Sequence, residues 1–117
     1  RQFTALLRDR ELLPTHEIQR WRLGDNRLTG AGIKALSESL GPKCELLHLA
    51  RNDIGFQGSQ AIANCLVQER LLHLRFLEVS WNNLGNEAAT ELSKALLRSS
   101  PALLRFEASH NFFSEGQ

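Results

Sequence analysis

Apolar residues recur along this chain in one fixed order, which is clearest in residues 46–58, LLHLARNDIGFQG. Leu47 and Leu49 alternate with other residues, as the buried side of a strand does. Asn52 follows three residues after Leu49, and an isoleucine and a glycine come two and six residues after that asparagine. The same order recurs around three further asparagines, Asn26, Asn82 and Asn111. The chain is therefore predicted to contain four copies of one structural unit.

The distances between successive asparagines, 26, 30 and 29 residues, leave room for a strand and a whole helix in each unit. Pairs of apolar residues at helical spacing follow each turn, namely Leu36 and Leu40, Ile62 and Leu66, and Leu92 and Leu96. Gly41–Pro42 and Ser100–Pro101 are predicted to end the first and third helices. The strands should stack in parallel with the helices behind them, and the predicted repeats are 18–43, 44–73, 74–102 and 103–117.

The four asparagines, Asn26, Asn52, Asn82 and Asn111, are predicted to be structural, since each lies where its strand turns away. There the side-chain amide can bond backbone groups that have no partner in the sheet. A very small residue stands six positions after each of the first three asparagines, as Gly32, Gly58 or Ala88. A small side chain at that position suits the close approach of the segment that leads into the helix.

The two ends of the chain differ from the complete units. Residues 1–17 carry apolar residues at helical spacing and are predicted to form either an N-terminal capping helix or the back half of a preceding repeat, and we favour the second. The fourth unit has a strand and a turn but no helix, and Phe106 and Phe113 stand at its core positions. We therefore expect the chain to be part of a longer solenoid, with more repeats, a following domain or another subunit covering this end.

Residues 18–117 resemble leucine-rich repeats of the ribonuclease-inhibitor subtype, because each unit follows the order L-x-L-x-x-N-x-L and the first three continue for the length of a helix. Other apolar residues replace some of the leucines, namely Trp21, Ile54, Val79, Phe106, Ala108 and Phe113. That subtype also occurs in the sensor regions of intracellular NLR proteins and in Ran GTPase-activating proteins. The resemblance implies an α/β fold, a curved right-handed solenoid of parallel strand–turn–helix units. The fold serves many partners, so the resemblance alone does not identify a function.

Composition excludes several classes of protein. The 117 residues include 22 leucines and carry a formal charge of +1, so no strong field favours nucleic acid or a membrane surface. No apolar run approaches the roughly 20 residues that span a bilayer. Two cysteines without C-x-x-C spacing, and the lack of any N-x-S/T site, favour a cytoplasmic, intracellular setting. The abrupt start at Arg1 leaves open whether a leader once preceded it.

The chain offers no recognisable catalytic or cofactor motif, so we predict no enzyme, no cofactor and no metal site. Its histidines, His16, His48, His73 and His110, do not have metal-ligand spacing. Ser80 and Ser109 lie near Glu78 and Glu107, but neither G-x-S-x-G nor a phosphate-binding glycine loop is present. Cys44 stands at a core position and Cys65 in the second helix, and both are predicted to be buried thiols.

The strand residues between the core positions should line the concave surface and are the candidate partner-binding residues. They are Arg20, Arg22, Asp25, His48, Arg51, Phe76, Glu78, Trp81, Arg105, Glu107 and His110, with Gly24, Leu46, Ala50, Ser80 and Ser109 between them. Arg51, Phe76 and Trp81 are of the types that concentrate binding energy at interfaces. The alternative is that Phe76 and Trp81 only cover neighbouring strand residues.

We predict a protein-interaction module or scaffold, as in a sensor, an assembly or an inhibitor, whose partners are proteins or neighbouring subunits and not small molecules. The alternative from another class is a GTPase-activating or other GTPase-regulatory protein, for which Arg51 is the one candidate arginine. Nucleic-acid binding through Arg20, Arg22 and Arg51 is a weaker alternative, because Glu78 and Glu107 and the near-neutral charge argue against it.

Overall fold

The computed structural model describes residues 17–111. The predicted N-terminal helix and Phe113 lie outside these described residues, apart from Glu17. Strands and helices alternate along the described chain: β1 Arg20–Arg22, α1 Thr29–Ser37, β2 Leu46–His48, α2 Gly55–Val67, β3 Phe76–Glu78, α3 Asn86–Ser99 and β4 Arg105–Glu107. The end of α3 next to Ser100–Pro101 is where the sequence predicted it.

The four strands form one parallel sheet in the order β1-β2-β3-β4. Each strand has three residues, and the middle residues of the four strands are in register, namely Trp21, Leu47, Leu77 and Phe106. Parallel neighbours in chain order require a crossover after every strand, and the helices supply it. The predicted α/β architecture of parallel strands with helices between them is therefore confirmed.

The hydrophobic core lies between the sheet and the helices. Leu47 and Leu77 are completely buried, and Ile62 and Leu92 from the helices lie in the same core. The last strand differs, because the side chain of Phe106 is 37% exposed although it has the same register as Leu47. The core is thus complete beneath the middle strands and open beside β4.

The first helix is shorter than predicted. Leu36 and Leu40 were expected on one helix that Gly41–Pro42 ends, but α1 ends at Ser37 and Leu40 lies beyond it. The backbone N–H groups of the next two residues bond carbonyls three residues back, in a tight turn that cannot continue as an α-helix. The asparagine spacing of the first unit is four residues shorter than that of the second, 26 against 30, and α1 has nine residues where α2 has thirteen. Leu40 still joins the core.

Asparagine side chains connect each unit to the one before it. The Asn52 Oδ1 atom accepts hydrogen bonds from the backbone N–H groups of Asn26 and Leu28, at 2.9 and 3.2 Å. Its Nδ2 atom donates to the carbonyl oxygens of Leu23 and Leu49, at 2.8 and 3.0 Å. Asn111 makes the four corresponding bonds. Asn82 makes three of them, and its Nδ2 atom also donates to the carbonyl of Ser80 at 3.1 Å. Asn26 is exposed, and its amide donates to the carbonyl of Gly24 within its own turn.

Candidate protein-interaction surface

The first and third residues of each strand, and the residue before each asparagine, form a surface that we call the strand-side surface. It consists of Leu46 and the eleven predicted partner-binding residues, which are Arg20, Arg22, Asp25, His48, Arg51, Phe76, Glu78, Trp81, Arg105, Glu107 and His110. In the first three strands these strand residues flank a buried middle residue. All eleven are exposed or half-buried, as their positions in the sequence predicted.

A stack of three side chains crosses the strand-side surface where the strands turn. The Arg51 guanidinium carbon lies 4.7 Å from the centre of the Trp81 ring. From the unit that follows, the His110 ring stacks on the Trp81 ring with 4.1 Å between ring centres and 13° between ring planes. Trp81 is thereby fixed between a cation and an aromatic ring, yet it stays 46% exposed.

The stack exists because the same backbone conformation recurs at the same offset in every unit. The residue before each asparagine has a left-handed φ angle, 60° at Asp25, 59° at Arg51, 61° at Trp81 and 56° at His110. This conformation costs a non-glycine residue roughly 1–2 kcal/mol. The asparagine side chains bond the backbone on both sides of the turn and hold it in place. Equal backbone geometry in neighbouring units places successive side chains one above the next.

A second cluster lies at the other end of the strands and is built around Phe76. The Arg105 guanidinium carbon is 5.5 Å from the centre of the Phe76 ring. Arg105 also bonds Glu107 through two nitrogens, with Nε–Oε2 and Nη2–Oε2 distances of 2.7 and 2.6 Å. The three candidate anchors Arg51, Phe76 and Trp81 therefore divide into two clusters.

One predicted surface position is buried. The side chain of Ser80 is 4% exposed, although the alternation of the strand predicted that it would line the open face. Its Oγ atom accepts hydrogen bonds from the backbone N–H and the hydroxyl of Ser109, at 3.0 and 3.1 Å. The two serines thus bond each other across neighbouring units. This pair adds connection between the last two units and does not form part of a serine–histidine arrangement.

Both cysteines are buried and free, and burial opposes their deprotonation. Burial raises the pKa of the Cys44 thiol to about 12, and burial also raises the pKa of the Cys65 thiol. The reactive thiolate is therefore disfavoured at neutral pH.

No group of histidine, cysteine, aspartate and glutamate side chains within residues 17–111 is arranged to hold a metal ion. In the same part of the chain, no helix has both the length and the apolar character needed to cross a bilayer.

Comparison with protein families gives two matches to one family, described as Leucine Rich repeat. They cover residues 18–37 and residues 70–93. Each match includes a strand that the structure shows, β1 in the first and β3 in the second. A comparison with curated proteins found no match.

The fold is the α/β leucine-rich-repeat fold, and the family matches support a leucine-rich repeat protein. Repeats of this kind suggest a protein–protein interaction module. The comparisons give no support for GTPase regulation.

Proposed function

We propose that this chain binds a protein partner through the strand-side surface, as an interaction module or scaffold. The observation that carries the proposal is the exposed Trp81 ring held between Arg51 and His110. Tryptophan and arginine are enriched among the residues that dominate binding energy at interfaces. A ring that is already fixed loses little conformational freedom when a partner packs on it, so more of the contact energy remains as affinity.

The alternative role for Trp81 is to cover a neighbouring strand residue, but this role does not account for the part of Trp81 that stays exposed. Trp81 is 46% exposed although both of its stacking partners are in place. The buried middle residues of the strands are covered from the helix side by the core. Trp81 is therefore available for contact, and its loss should affect binding more than folding.

The finer assignment that we propose is the ribonuclease-inhibitor subtype, in four repeats over 18–43, 44–73, 74–102 and 103–117. A helix of nine to fourteen residues between successive strands supports it. Two buried free thiols and the lack of an N-x-S/T site support a cytoplasmic location. GTPase regulation is not part of the proposal, since the guanidinium of Arg51 already lies over Trp81.

A photo-crosslinking amino acid tests the surface directly. Placed at His48, in the centre of the strand-side surface, it should form a covalent adduct with the partner in cells. Placed at Glu91, on the exposed side of α3, it should not. Mass spectrometry identifies the adduct, and the partner is then purified for affinity measurements.

We predict that Trp81→Ala weakens binding of this partner by about 2 kcal/mol, because it removes the fixed anchor. Val67→Ala is the matched control, since Val67 is an exposed apolar side chain on α2. Isothermal titration calorimetry gives both affinities, and circular dichroism confirms that both variants are folded. Equal affinities for the two variants would contradict the proposal, and unfolding of Trp81→Ala would show that the ring serves the fold.

A further inference from the structure

The charges of the strand-side surface differ in how far they are already neutralised. The carboxylate of Glu107 is paired with Arg105. The carboxylate of Glu78 accepts the backbone N–H of Ser80 at 2.9 Å. Both acids are half-buried. The charge of Glu107 is thus compensated within the molecule, whereas Glu78 keeps its charge and uses one carboxylate oxygen in a backbone hydrogen bond.

The positive charge of the first strand is available. Arg20 and Arg22 are exposed and make no hydrogen bond or ion pair with another described residue. Across the sheet, Arg20 is in register with Leu46 and Phe76, which are half-buried and apolar. Arg22 is in register with His48. A cationic strand therefore lies beside an apolar pair on the same surface.

Asp25 is the acid of the strand-side surface in the same unit as Arg20 and Arg22. Its position limits how far it reduces their positive field. Asp25 follows Arg22 by three residues and directly precedes Asn26, as Arg51 directly precedes Asn52 in the next unit. Arg51 itself is directed over Trp81. Asp25 thus weakens the positive field at the turns. Arg20 and Arg22 lie in β1 itself, where the acids of β3 and β4, Glu78 and Glu107, are two and three strands away.

Resting on the proposed function, we infer that the partner presents an acidic extended segment that crosses the strands. Its carboxylates lie against Arg20 and Arg22, and an apolar side chain lies on the row of Leu46 and Phe76 or on Trp81. Strands are about 4.8 Å apart, so β3 lies roughly 10 Å from β1, which three residues of extended chain span. The recognised segment therefore carries acidic and apolar residues about three positions apart, and opposite charge also speeds and orients the encounter.

Selection from a phage-displayed library of random dodecamers on the immobilised chain tests this segment. We expect the selected peptides to be enriched in Asp and Glu together with an aliphatic or aromatic residue. Selection on Arg20→Glu/Arg22→Glu should lose the acidic enrichment. The matched control Lys43→Glu/Arg98→Glu makes the same change in net charge at exposed residues outside the strand-side surface and should keep it.

A selected acidic peptide should bind Arg20→Glu/Arg22→Glu about tenfold more weakly than the unchanged chain, with a loss of affinity as salt is added. Peptides that depend on Trp81 but show no excess of acids would overturn this inference and leave the proposed function standing. If none of the selected peptides depends on Trp81 or on the two arginines, this inference fails, and cross-linking at His48 decides separately whether the proposed function stands.

Discussion

At the scale of single residues, the four asparagines have the same offset but different environments. Asn52 and Asn82 are completely buried, whereas Asn26 is exposed. The buried amides bond backbone groups of two units at once. A buried backbone group that loses its partner costs free energy because water cannot replace the bond. The contribution of each asparagine to the free energy of unfolding should therefore depend on how deeply its side chain is buried.

We predict that Asn52→Ala lowers the free energy of unfolding by about 1–3 kcal/mol, because it leaves the N–H groups of Asn26 and Leu28 and the carbonyl of Leu23 without their partner. Urea denaturation measures the change. Asn64→Ala is the matched control, since this asparagine is exposed on α2 and alanine favours the helix. An unchanged unfolding midpoint in Asn52→Ala would contradict the structural role.

The sequence contains enough information to predict these bonds but not the stack around Trp81. A fixed offset from the apolar positions places each asparagine at the end of a strand, so its role follows from the pattern. The stack depends on left-handed φ angles at Arg51 and Trp81, and neither residue type favours that conformation. Only the recurrence of one offset before each asparagine could have indicated that three side chains stand in a row.

At the scale of elements, the segment that enters each helix is set by a pair of residues four positions apart. In the second unit the pair is Ile54 and Gly58, and in the third it is Leu84 and Ala88. A Cβ atom added at Gly58 would lie 2.2 Å from the Cγ2 atom of Ile54. Leucine is not branched at Cβ and has no Cγ2 methyl group, which agrees with alanine being accommodated at position 88 beside Leu84. Glycine is thus required at position 58 because the β-branched side chain of Ile54 lies against it.

We predict that Gly58→Ala destabilises the chain by about 1–3 kcal/mol through this overlap, and that Ile54→Leu added to it restores most of the loss. Gly85→Ala is the control, because a Cβ atom there meets nothing within 4 Å and the backbone has a negative φ. Thermal and urea unfolding of the single and double variants measures the coupling. If the double variant is as unstable as Gly58→Ala, the overlap with Ile54 is not the cause.

The limits of prediction at this scale are visible in α1. The periodicity of Leu36 and Leu40 indicates one helix, and both side chains do reach the core. Periodicity records which side chains are buried, and a tight turn after Ser37 buries Leu40 as well as a longer helix would. The four-residue difference in asparagine spacing was the more direct signal of the shorter helix.

At the scale of the whole molecule, the outer side of α3 has no neighbour among the described elements. Ser59 and Ala63 on α2 are buried, and their equivalents one unit later are Ala89 and Ser93. These two line a groove of about 470 Å³ together with Leu97 and Phe106. Small side chains stand at the same two positions on both helices, so we expect this flank of α3 to accept a packed polypeptide segment as the flank of α2 accepts α3. We call it the end groove.

We predict that residues 1–117 expressed alone associate as their concentration rises, because the end groove leaves Leu97 89% and Phe106 37% exposed beside each other. Leu97→Lys should keep the chain monomeric. Val67→Lys is the matched control at the equivalent position of α2, where the side chain is 60% exposed and outside the end groove, and it should associate like the unchanged chain. Sedimentation velocity over a range of concentrations measures all three. A cooperatively folded, unchanged chain that stays monomeric at high concentration would show that the end groove needs no further repeat or other polypeptide to cover it.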